Sequence, residues 1–110
     1  MGFNQDLGLR REPDGAIRLD PDARHEVAPG TIHFAVLATL GEVAAAQAAG
    51  AAVVPTHLSV QLMRRAGPGK PLASRGRVLK AGRSLIFAEA EVSQGGEIVA
   101  LVAVTFARVG

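Results

Sequence analysis

The chain of 110 residues contains no cysteine, no tryptophan and no tyrosine. Missing thiols exclude a disulfide framework, a thiolate nucleophile and a cysteine-based metal site. Four phenylalanines are the only aromatic residues besides histidine. That leaves few large side chains to fill a core, so part of the core is expected to be completed by a second subunit. Charge is also scarce in the middle of the chain, where Glu42 is the only formally charged residue between Glu26 and Arg64. From Arg64 to Arg83 it is acid that is missing: Arg64, Arg65, Lys70, Arg75, Arg77, Lys80 and Arg83 form a cationic band suited to an anionic partner. With no aromatics interleaved for base stacking, nucleic acid is not the partner expected.

Other absences narrow the class further. The N-terminal MGFNQD lacks the basic and apolar regions of a signal peptide, and Asp6 spoils a myristoylation match. The apolar run Ile32 to Val54 is long, but it is alanine-rich and holds His33, Thr39, Glu42 and Gln47, which argues against a membrane span. The reading is a cytoplasmic protein with no membrane association, and a single domain over residues 1–110. No repeat or low-complexity linker divides it.

What is present is a long helical stretch. Gly30 to Gly50 is rich in Ala and Leu, with Gly30 and Thr31 opening it and Gly50 placed as a C-terminal cap. At about 100° per residue, Val36, Leu37, Leu40 and Ala44 form an apolar stripe flanked by Ile32 and Val43. Glu42 shares the other side with Ala35, Ala38, Thr39, Ala45, Ala46 and Ala49, all small. Such a face admits another backbone or a ligand and leaves Glu42 as its main polar group.

Around this helix the pattern is that of strands. Pro13-Asp14-Gly15 is a turn between Leu7 to Glu12 and Ala16 to Asp20, a hairpin. Pro21 to Pro29 reads as a loop. After Gly50 the period becomes two: Leu58, Val60 and Leu62 alternate with His57, Ser59 and Gln61, a half-buried strand. Ala66 to Pro71 is a loop, and it fails as a P-loop because Arg64 and Pro71 stand where Gly and Ser or Thr are needed. Leu72 to Lys80 and Ser84 to Ser93 form a hairpin about Ala81-Gly82-Arg83, and Ile98 to Val109, apolar on both faces, is a central strand. Hairpin, long helix and four strands in a meander make an α+β domain, an antiparallel sheet curled against one helix.

Ile32 to Glu42, IHFAVLATLGE, resembles the helix-opening signature of hotdog-fold acyl-CoA thioesterases of the phenylacetate type, His-Gly-Gly followed by Asp or Glu nine residues after the His. LSVQLMRRA (58–66) is similar to the strand that follows that helix, VLKAGRSLIF (78–87) to the later hairpin, and Gly95, Gly96 and Val99 to Thr105 to the final turn and strand. Nearly the whole chain is covered.

The resemblance implies a hotdog fold, a curled antiparallel sheet wrapped around one long central helix, assembled as a homodimer or homotetramer. It implies an acyl-CoA thioesterase acting on a small or aromatic acyl-CoA, with no cofactor beyond the CoA of the substrate. Glu42 would be general base or nucleophile, and the backbone N–H of Phe34 from the neighbouring subunit would polarise the carbonyl. His33 would bond the thioester oxygen or brace the loop. Thr56, His57 and Ser59 lie on or beside the strand expected to line the cleft, and Arg64, Arg65, Lys80, Gly82 and Arg83 are candidates for holding CoA, the bases for its phosphates. No three histidines share a metal-ligand spacing, so no metal is expected.

Two departures bear on function. Phe34 and Ala35 replace the glycine pair, and Val27 occupies the register where many members carry Asn or Gln, with Glu26 adjacent. They keep open a non-hydrolytic acyl-CoA-binding or interaction protein on the same fold. A dehydratase or isomerase lacks a clear second catalytic group near Glu42.

Overall fold

A computed structural model describes residues 2–109. The turn at Pro13-Asp14-Gly15 forms as its residues dictate. The Asp14 carboxylate accepts the N–H of Ala16 at 3.0 Å, and Gly15 adopts a φ of 91° that a side chain would oppose. It joins β1 (Arg10–Arg11) to β2 (Ile17–Leu19), antiparallel. The hairpin is shorter than the flanking runs suggest, because Leu7 belongs to a five-residue helix, α1 (Phe3–Leu7), which the sequence pattern does not announce.

The segment read as a loop from Pro21 to Pro29 is more ordered than that. Ala23–His25 forms a 3-10 turn, and β3 (Glu26–Ala28) pairs with β4 (Thr31–Ile32) in a two-stranded ribbon. Gly30 therefore turns the ribbon and Thr31 begins its second strand, and neither opens the helix, which starts later: α2 runs Phe34–Ala49 with His33 as its N-cap and Gly50 as its C-cap.

The main sheet has six strands in the order β1-β2-β6-β7-β8-β5, with β5 (Val53–Leu62), β6 (Leu72–Ala81), β7 (Leu85–Gln94) and β8 (Glu97–Arg108). Only β6, β7 and β8 form a meander. The expected four-strand meander is corrected at β5, which crosses over to pair with β8, from Val53 opposite Arg108 to Leu62 opposite Ala100. β8 thus lies between β7 and β5, the inner position its two apolar faces require.

α2 packs across one face of this sheet, burying Val36, Leu37, Leu40 and Ala44 as its stripe predicts, against Val92, Ala100, Val102 and Val104. Two glycines set how closely it sits. A Cβ on Gly41 of the helix would fall 2.3 Å from Val102, and one on Gly76 of β6 would fall 2.3 Å from the carbonyl oxygen of Ala44. That approach also buries Ala45 completely, so the small face of α2 is narrower than the helical wheel draws it.

The α+β architecture is the one expected. Among the described residues no helix is long and apolar enough to cross a membrane. Leu58 and Leu62 depart from the half-buried reading of their strand, at 43% and 55% exposed. Their cross-strand partners Val104 and Ala100 are buried on the helix-facing side of the sheet, so they point to that same side, where α2 does not reach them.

Candidate active site

The first turn of α2 is built by its own capping residue. His33 takes an extended backbone, and its Nδ1 accepts the N–H of Ala35 at 2.9 Å, while its carbonyl accepts the N–H of Val36 at 3.0 Å. An imidazole nitrogen here does the work more often done by a Ser or Asp oxygen. Its ring lies against that of Phe34, centroids 4.6 Å apart. The cap satisfies the second and third N–H groups of the helix and leaves the first, that of Phe34, without a hydrogen-bond partner among the described residues. A free N–H at the positive end of a 16-residue helix favours an oxyanion.

Glu42 is half-buried on α2. Loss of solvent pushes its carboxyl up from its ordinary value, and no cation or hydrogen-bond donor among the described residues opposes that shift. Within one chain it cannot share a reacting atom with Phe34. Eight residues of helix separate their backbones by about 12 Å.

Beside the free N–H is a cavity of about 430 Å³, walled by Val27, Ile32, Phe34, Leu37, Leu62 and Met63, with Thr31, Arg64, Arg65 and Ala66 completing it. It brings together three of the residues singled out from sequence, Phe34, Arg64 and Arg65, with Val27 on its wall. Glu42 does not line it. The ribbon explains why Glu26 is not there either: its carboxylate accepts the N–H of Gly30 at 2.6 Å. The apolar wall was missed by sequence reading, although Leu62-Met63 breaks the strand's alternation just before the two arginines.

The cationic band does not survive folding as a band. Arg64 pairs with Glu97 at 2.7 Å, Arg75 with Asp14 and Arg77 with Glu89. The acids absent from the stretch arrive from other strands. Lys80, Gly82 and Arg83 lie at the β6–β7 turn, where Gly82 bonds Leu85 and accepts from Arg108. Arg108 is opposite Val53 at the start of β5, and Arg64 follows its end, so the two groups of bases are separated by about 30 Å of strand.

The polar residues of β5 go elsewhere. His57 is opposite Thr105 and Ser59 opposite Ala103, outward positions of β8, so both face away from α2. Thr56 sits at the register shift between Pro55 and His57 and bonds the Thr105 carbonyl at 3.2 Å. One chain does not bring these three to the cavity. Among the described residues no three His, Asp or Glu side chains converge as a metal cage.

Comparison with known proteins follows the same lines. The family described as acyl-CoA thioesterase N-terminal domain matches residues 23–107. A conserved protein of Pseudomonas aeruginosa superposes with a TM-score of 0.89 at 28% identity, covering 99% of this chain and 94% of that one. A mutant of the phenylacetic acid degradation protein PaaI of Thermus thermophilus gives 0.88 at 26%, covering 97% and 98%. Zebra fish thioesterase superfamily member 2 gives 0.83 at 25%, covering 99% and 87%. No curated protein sequence matches.

Proposed function

Given that this chain belongs to the acyl-CoA thioesterase family, is of the hotdog-fold, phenylacetate type and is a thioester hydrolase, we propose that it cleaves a small or aromatic acyl-CoA to the free acid and CoA at a site shared between two subunits. The observation that carries this reading is the pair formed by a desolvated Glu42 on α2 and a Phe34 N–H at the start of the same helix, both without a partner among the described residues. They are too far apart to act on one carbonyl within a chain, so the Phe34 of a second subunit serves the Glu42 of the first.

The chemistry needs water and no cofactor. Glu42 takes a proton from water as the oxygen attacks the thioester carbonyl carbon, and the charge that develops on the carbonyl oxygen is held by the Phe34 N–H. Collapse breaks the C–S bond, and the CoA thiolate leaves and is protonated. Desolvation suits Glu42 to this work, since a carboxylate with a raised pKa is a stronger base at neutral pH. As a nucleophile it would form an anhydride with the acyl group, which water then hydrolyses.

A second subunit is supported by β5, an edge strand whose Leu58 and Leu62 face the helix side uncovered. A partner's β5 and α2 would close the edge and cover them. Arg65 at the cavity and the distant Lys80 and Arg83 reach one CoA only if two chains contribute.

Glu42→Gln keeps size and removes the base. Thiol release from a panel running from acetyl-CoA to phenylacetyl- and benzoyl-CoA is expected to drop by about 10²- to 10⁴-fold in the variant. Unchanged turnover would remove Glu42 from the mechanism.

A further inference from the structure

His25 is the one buried histidine, 2% exposed, and every polar atom it owns is used. Its Nδ1 accepts the N–H of Asp22 at 3.0 Å, which puts the ring proton on Nε2, and Nε2 donates to the carbonyl of Leu7 at 2.7 Å. Its backbone N–H bonds the Asp22 carbonyl at 3.0 Å, and its own carbonyl accepts the N–H of His33 at 2.9 Å. One residue thus ties together the end of α1, the 3-10 turn and the residue that caps α2. Arg24 reinforces the first of these joints with bonds to the carbonyls of Asp6 and Leu7.

We infer that His25 is a positioning residue for the reaction: its imidazole fixes the carbonyl that holds His33, and through His33 it aims the free N–H of Phe34. The inference rests on the reading of Phe34 as oxyanion donor. Among the described residues nothing bonds the Phe34 N–H directly, so its direction follows the planar peptide it shares with the His33 carbonyl, which accepts from Val36 at 3.0 Å, and the two N–H groups before it, that of Ile32, held by the Ala66 carbonyl at 2.8 Å, and that of His33, held by His25. An oxyanion donor must be within a few tenths of an ångström of its place. An apolar residue at 25 would fill the space, but it would leave the Asp22 N–H without a partner and the Leu7 carbonyl with only the long bond from Arg24 at 3.5 Å, and the turn would shift to find others.

The test compares His25→Ala, His25→Asn and Ile86→Ala. Asn keeps an acceptor for the Asp22 N–H, and Ile86 is buried in β7 opposite Phe106, at the other end of the sheet from Ala100 and Leu62, which lie by the start of α2. His25→Ala is expected to lower kcat about ten-fold or more, because a displacement well under an ångström is felt at the reacting atoms. KM should stay within about two-fold, as binding is untouched. His25→Asn should recover part of the loss, and Ile86→Ala should lower Tm yet leave kcat within about two-fold of the wild type. A kcat for His25→Ala that matches Ile86→Ala at comparable Tm would overturn the inference. Backbone amide exchange without ligand separates it from the thioesterase reading, since the Ala35 and Val36 amides should exchange faster in His25→Ala. If they do not, His25 does not hold the turn, whatever the activity. If they do while the wild type releases no thiol from any acyl-CoA, the role given to Phe34 fails, and with it the consequence of that hold for catalysis.

Discussion

The Cα of Gly76 faces the carbonyl of Ala44 so closely that a methyl group there would be 2.3 Å from the oxygen. On the other side of the same contact, Gly41 meets Val102, again at 2.3 Å, but through a side chain. The two glycines set the depth at which α2, with Glu42 and the Phe34 N–H, rests on the sheet.

Gly76→Ala and Gly41→Ala are both expected to destabilise, by about 1–3 kcal/mol or more, as overpacking does. Val102→Ala trims the side chain that opposes the second, so the Gly41→Ala, Val102→Ala double variant should lose less than the sum of its single variants in urea melts. No side-chain trim relieves the first, whose obstacle is backbone. Additivity at the Gly41 and Val102 pair would show that the helix is not seated there.

Burial raises the Glu42 carboxyl above its unfolded value, so the folded chain keeps that proton to higher pH than the unfolded chain does. Stability is lost as pH rises through the unfolded and then the folded value. Glu42→Gln removes the cost: the variant should melt higher than the wild type at neutral pH, with the difference closing below about pH 4. The acid limb of kcat/KM should likewise lie above the ordinary glutamate pKa of about 4.3. A Glu42→Gln protein that melts lower at neutral pH would show that the carboxylate is stabilised by something other than solvent.

Arg64 and Arg65 line the same cavity, but Arg64 is already paired with Glu97. Arg65→Ala should raise KM for a CoA thioester by about ten-fold, the worth of one charged hydrogen bond, and Arg64→Ala by less. The Arg65 contribution should shrink as salt is added. The reverse order of KM effects would place the CoA phosphates on Arg64.

Leu58→Asp puts a charge on the uncovered helix-side face of β5. Light scattering should then give the monomer mass, and thiol release should fall with dimer content, as a site built from the Glu42 of one chain and the Phe34 of another requires. A monomer with full activity would refute the shared site.

Much of this was legible because it is local. The turn at Pro13 to Gly15, the apolar stripe of α2, the hairpin about Ala81-Gly82-Arg83 and the two apolar faces of β8 follow from residue chemistry and period. The pairing of β5 is not local: Leu58, Val60 and Leu62 alternate in the same way whichever strand lies beside them. Order along the chain also hid the acids, since Asp14, Glu89 and Glu97 meet the cationic stretch only in space. Ala45 looked like part of an open face because the missing side chain that buries it belongs to Gly76. Of the candidate site, Phe34, Arg64 and Arg65 were found together, while a lone loop histidine such as His25 carries no signal of what its ring holds.

The crossover of β5 has a kinetic side. Among the described residues its only neighbour in the sheet is β8, the last of these strands in chain order, with Leu58 opposite Val104 and Val53 opposite Arg108. A chain that emerges from its N-terminus must hold β5 unpaired until β8 is made, a long-range closure that slows folding and leaves a strand open on both sides meanwhile. The Pro55 in that strand has no N–H to offer a stray partner, and the register shift at Thr56 breaks the strand's regularity beside it. The same strand that would meet a second subunit in the proposed dimer thus carries its own protection against meeting one too early.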